Sequence, residues 1–92
     1  MTLGEPWLDE MRMVFVARLG DEKAAFLAAH AAQDWAEITN RAHKLAGLAG
    51  MLGAPEVGEA ALQLEERMNV DQPFGGEFAA LIAAIEAEQK RG

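Results

Sequence analysis

Apolar residues in this chain recur every three or four positions, and its few β-branched residues never alternate with polar ones. That pattern restricts it to helices. Pro6 suits the first turn of a first helix reaching about Ala31, with Leu8, Met11, Phe15, Leu19, Phe26 and Ala29 inward. Gly20-Asp21 interrupts that segment, as either a kink or a break that leaves a short extra N-terminal helix. Asp34 begins the second helix, where Asp34 and Glu37 fit a capping box. Trp35, Ile38, Ala42, Leu45, Ala49 and Leu52 form its inner stripe, and Gly53 is its C-cap glycine. Pro55 opens a third helix with Val57, Ala61, Leu64 and Met68 inside. A loop spans Asn69 to Gly76. A fourth helix covers about Glu77 to Lys90 and buries Phe78, Leu81, Ile82 and Ile85, with Lys90 and Arg91 complementing its C-terminal dipole. Short connections between amphipathic helices imply antiparallel neighbours, so the expected fold is all-α, an antiparallel up-down four-helix bundle forming one domain over residues 1–92.

Composition removes several kinds of function. The chain has no cysteine, serine or tyrosine, and its only aliphatic hydroxyls are Thr2 and Thr39, so serine and cysteine nucleophiles are excluded. A net charge of −7 argues against nucleic acid and anionic membranes. No apolar run is long enough to span a bilayer, and the basic flank of a signal peptide is missing, so cytoplasmic residence is expected. Neither GxGxxG nor GxxxxGK[ST] occurs, so no familiar ATP site is encoded.

The second helix carries the distinctive chemistry. At about 100° per residue its core stripe centres between Ala49 and Leu45, and His43 lies roughly 130° away, toward solvent. Gly47 and Gly50 fall within roughly 40° of His43, with Asn40 and Met51 nearby and Ala46 at the border. A helix-interior glycine costs about 1 kcal/mol relative to alanine. Glycines that serve helix packing belong on the core stripe, and these two lie off it. The bare surface they leave suits the close approach of something large to an exposed imidazole, which is a nucleophile near neutral pH. A lone surface histidine usually has no role, and His30 is read that way, placed to suit the dipole at the end of the first helix.

The stretch His43-Lys44-Leu45-Ala46-Gly47, with Gly50 and Gly53 following, resembles the acceptor motif of histidine-containing phosphotransfer (HPt) domains. The resemblance extends to the Asp34-Trp35 lead-in, the Leu52-to-Pro55 turn and the acidic third helix. It implies that His43 accepts a phosphoryl group from a receiver-domain aspartate and passes it on, as a carrier and not an enzyme. It implies further that Gly47 and Gly50 clear room for the receiver. Glu65 matches the place from which an acidic or amide side chain holds the second ring nitrogen in some members; the plainer reading is a solvated carboxylate. Many members carry lysine three residues after the histidine, where this chain has Ala46. Lys44 supplies a charge about 100° away around the helix.

The implied partners are a response-regulator receiver domain, a hybrid histidine kinase or both, in a bacterial two-component phosphorelay, with Mg²⁺ held by the receiver and no cofactor on this chain. Asn40, Ala46, Gly47, Gly50 and Met51 would meet the partner, and the carrier would be monomeric. The alternative is an HPt-like adaptor or inhibitor that binds a receiver or kinase without being phosphorylated, which Ala46 favours. A metal-carboxylate bundle would need inward Glu-x-x-His pairs, and none occurs; no metal site is expected.

Overall fold

The computed structural model describes residues 6–91, with side chains from Asp9 onward. Four helices follow one another: α1 (Pro6–Ala31), α2 (Trp35–Met51), α3 (Pro55–Asn69) and α4 (Gly75–Arg91). Each packs on its neighbours in sequence and α4 closes back on α1, which makes an up-down four-helix bundle. Leu19 and Phe26, Ile38 and Ala42, Val57 and Leu64, and Leu81 and Ile85 are all fully buried, two from each helix. Burial of a large apolar side chain contributes roughly 1.5–3 kcal/mol, so this shared centre is what orders the helices.

Helix α1 runs unbroken through Gly20-Asp21, so neither the kink nor the short extra helix forms. Leu19 and Phe26 are anchored on either side of the glycine. Helix α4 passes close by, with the Gln89 amide 3.3 Å from where a Gly20 Cβ would stand. The side chain of Leu8 lies outside the described residues. Met11, expected inside, is 42% exposed. With 26 residues against 17, α1 outruns its antiparallel neighbour α2, and the Arg12 guanidinium lies 3.6 Å from a Cβ built on Gly53. Met11 thus sits level with the turn after α2.

Trp35, also expected inside, is 41% exposed. It is the first residue of α2 and stands at the end of the bundle, edge-on to Phe74 at 5.5 Å and to His30 at 5.6 Å. Met68 and Ile82 are half-buried, packed against the core. Helix α4 begins at Gly75, two residues earlier than expected, with the Phe78 N–H donating to the Phe74 carbonyl. Asp34 caps α2 by accepting from the Glu37 N–H at 3.3 Å. The reciprocal half of the capping box is not made. The Asp34 N–H donates instead to the Ala29 carbonyl at 2.8 Å, and the Glu37 carboxylate takes the Arg41 Nε–H at 2.6 Å.

The closest helix pair is α2 with α3. A Cβ on Gly58 would lie 3.2 Å from both the Ala46 carbonyl oxygen and the Gly50 nitrogen. Only a glycine lets the two backbones approach this nearly.

Candidate functional site

Close approach at Gly58 sets the register of the site. Seven residues beyond Gly58 along α3 is Glu65, and seven residues before Gly50 along α2 is His43. Seven residues is about two helical turns, so in an antiparallel pair the contact repeats there. His43 Nδ1 and Glu65 Oε2 are 2.8 Å apart. The histidine side chain is 72% exposed and the carboxylate 16%.

An ionised carboxylate can only accept a hydrogen bond, so Nδ1–H donates to Glu65 and the proton resides on Nδ1. The lone pair is then on Nε2, the ring nitrogen that Glu65 does not engage. Sequence periodicity alone left Glu65 equally readable as a solvated carboxylate; in the fold it contacts the imidazole.

Around His43 the helix surface is low. A Cβ on Gly47 or on Gly50 would meet nothing within 4 Å, so neither glycine is there for internal packing. Met51 is 64% exposed and Asn40 is exposed on the same face. Ala46 is half-buried and packs against the core, so it belongs to the α2–α3 seam as much as to the open face. Lys44 and Asn40 line a groove between α1 and α2, on the side of His43 away from Glu65. His30 lies apart from this site, tilted against Phe78 with ring centroids 4.5 Å apart.

Gly58 and Val14 escaped sequence reasoning. Gly58 does the spacing, and its signal was present: a glycine beside Val57 on the inner stripe of α3, two turns from Glu65. Val14 of α1, 54% exposed, joins Leu48, 40% exposed and already on the outward face of α2 by helical angle, and extends the surface toward α1. No periodicity within one helix reveals a surface made by two. Among the described residues no group of three or more His, Cys, Asp or Glu is placed to hold a metal ion, and no helix is long and apolar enough to cross a membrane.

The family model of the Hpt domain matches residues 10–89 of the 92. No curated protein and no solved structure matches the chain.

Proposed function

The chain belongs to the Hpt domain family, and on that footing we propose that it is a cytoplasmic phosphocarrier in which His43 exchanges a phosphoryl group with receiver-domain aspartates. The observation that carries this reading is the 2.8 Å contact between Glu65 and Nδ1 of an imidazole that is otherwise open to solvent. It supports Nε2 as the nucleophile. Nε2 attacks the phosphorus of an aspartyl phosphate, the phosphorus–oxygen bond breaks, and the receiver carboxylate leaves with the electron pair. The new N–P bond places positive charge on the ring. Glu65, still accepting from Nδ1–H, offsets that charge. Return of the phosphoryl group to an aspartate reverses the same steps.

Phosphoryl transfer depends chiefly on positioning and charge neutralisation. Gly47 and Gly50 supply the positioning, because nothing on α2 beside His43 holds a partner away. Little neutralisation comes from this chain. Ala46 occupies the place from which a lysine would reach the phosphoryl oxygens, and Lys44 leaves the helix toward the α1–α2 groove. Countercharge therefore comes mainly from the receiver and the Mg²⁺ it holds, and the carrier needs no ATP site of its own. A receiver domain or a hybrid kinase bearing one is the fitting partner, and Asn40, Ala46, Gly47, Gly50 and Met51 are the residues it would meet.

Intact-mass measurement after incubation with phosphorylated receiver domains and Mg²⁺ tests the reading. Acid-labile phosphate on wild type and none on His43→Gln is expected. Phosphate on both would move the acceptor elsewhere. Receiver binding with no phosphate on either would favour a non-phosphorylated adaptor, a reading that Ala46 invites, and Ala46→Lys would then be the variant to assay for gained transfer.

A further inference from the structure

At the end of the bundle where α1 gives way to α2, four of the six phenylalanine and tryptophan rings join His30 in one cluster. Phe26 and Phe78 belong to the core. Trp35 and Phe74 lie further out, Trp35 at 41% exposure and Phe74 half-buried. Their ring centroids are 5.5 Å apart with planes at 71°. One ring presents its edge to the other, so the space beside them is bounded by two ring faces at nearly a right angle. That corner opens on a cleft of about 480 Å³, which Met68 and Asp71 from the end of α3 help to line.

The charge in the cleft has one sign. Asp71 is exposed and makes no ion pair and no side-chain hydrogen bond among the described residues. No basic side chain lines the cleft, and its other polar side chains, Thr39 and Gln72, are neutral. Arg67, one turn before Asp71, is held by Glu77 at 3.4 Å. Glu10, Asp21, Glu59 and Glu66 also lack an ion pair among the described residues, but none of them lines this cleft.

We propose that the cleft binds a small organic cation through a quaternary ammonium group, seated against the faces of Trp35 and Phe74 with Asp71 as its counter-ion. The face of an aromatic ring is its electronegative side and attracts a cation within about 6 Å of the centroid. A quaternary ammonium has no N–H to satisfy, so two ring faces and a thioether can replace the water around it at little cost. A hard metal ion would need about six or more oxygen ligands, which aromatic walls do not supply. An anion is opposed by Asp71 and by the net charge of −7, and that same field draws cations in. His43 lies eight residues further along α2, and the proposal does not depend on the phosphocarrier reading.

The test follows the backbone amide resonances around the cleft, in the whole chain, while choline chloride is titrated in at constant ionic strength. Choline should shift them and saturate in roughly the millimolar range. The carbon isostere of choline, with tert-butyl in place of trimethylammonium, should bind about tenfold or more weakly. Trp35→Leu keeps an apolar wall without a ring face and should weaken choline about tenfold or more, while Trp35→Phe should retain most of the affinity. Asp71→Asn should weaken it about threefold, and Glu10→Gln, at the other end of α1, should stay within about twofold of wild type. If Trp35→Leu fails to melt cooperatively, Trp35→Phe, Asp71→Asn and the isostere decide. Equal affinity for the isostere, or choline binding indifferent to Trp35→Leu and Asp71→Asn, would overturn the proposal. So would the lack of any saturation below about 0.1 M choline. Tighter binding of N-acetyl-lysine amide than of choline would assign the cleft to a side chain of a partner protein and overturn the small-cation occupant.

Discussion

Glu65 holds Nδ1 of His43 and leaves Nε2 as the ring nitrogen it does not engage. Truncation by Glu65→Ala frees the ring to take either tautomer and, on the proposed phosphocarrier reading, removes the charge that would offset a phosphorylated imidazole. Partners that orient a metal-bound histidine are commonly worth 10–100-fold, and by analogy phosphoryl acceptance should slow by about tenfold or more in rapid-quench kinetics. Glu65→Gln keeps an oxygen that accepts from Nδ1–H and should lose less. The three glycines of the α2–α3 pair predict opposite outcomes by position. Gly47→Ala meets open space, so helix propensity should raise stability by up to about 1 kcal/mol in denaturant titration. Gly58→Ala drives a methyl against backbone atoms at 3.2 Å and should lower the melting temperature. Gly50→Leu should leave melting little changed and slow receiver-to-His43 transfer, because the added side chain occupies the approach. An unimpaired Gly50→Leu would show that the bare face does not serve docking. The outward placement of His43, Gly47 and Gly50 was legible from helical angle alone. The Glu65 contact was legible only through family resemblance, because it depends on how closely a second helix approaches.

Helix ends show where local rules suffice and where they do not. Gly53, at φ 83°, follows α2 as expected, and the Ala54 N–H returns to the Ala49 carbonyl at 2.9 Å, a Schellman closure. The same closure ends α1 and α3 without glycine. Gln33 and Asp71 both take φ 58°, with Asp34 N–H donating to Ala29 and Gln72 N–H to Arg67. A glutamine at left-handed φ gives no sequence signal. Replacing it by Gln33→Gly should raise stability by roughly 1 kcal/mol in thermal or denaturant melts, because the backbone strain it carries is removed. A fall would mean that Gln33 makes a compensating contact. The turn geometry also explains the half-made capping box. Once Asp34 N–H is spent closing α1, Glu37 has nothing to reach back for and pairs forward with Arg41.

Across the whole molecule, Glu88 is the feature that periodicity hid. It lies on the inner side of α4, 2% exposed, one turn after Ile85. Arg91 reaches back to it at 2.5 Å and across to Glu56 at the start of α3 at 2.8 Å, while Arg12 of α1 comes within 3.9 Å. One carboxylate thus joins three helices at the end of the bundle. Glu88 and Glu56 together hold the Arg91 guanidinium above its usual range, chiefly through the hydrogen bond from Arg91 to Glu88. Both arginines are more than half exposed and regain water when the partner is lost. The expected cost of Glu88→Ala is therefore about 1–2 kcal/mol by denaturant titration, below the range for stranding a buried charge. Glu88→Gln, which still accepts from Arg91, should cost less. No measurable loss would mean that the cluster adds nothing to the bundle.

Helix class, helix number and the outward face of α2 follow from the spacing of apolar residues and the placement of proline and glycine. These are local quantities, set by a repeat of about 3.6 residues and by which backbone angles a residue tolerates. Trp35 and Met11 defied the pattern because burial also needs neighbours on every side, and at the ends of the bundle they are covered only in part. The contact of Glu65 with His43, the close passage at Gly58 and the carboxylate of Glu88 among three helices all join separate helices. Their existence rests on interhelical distance and register, which arise only when four stripes pack around one core.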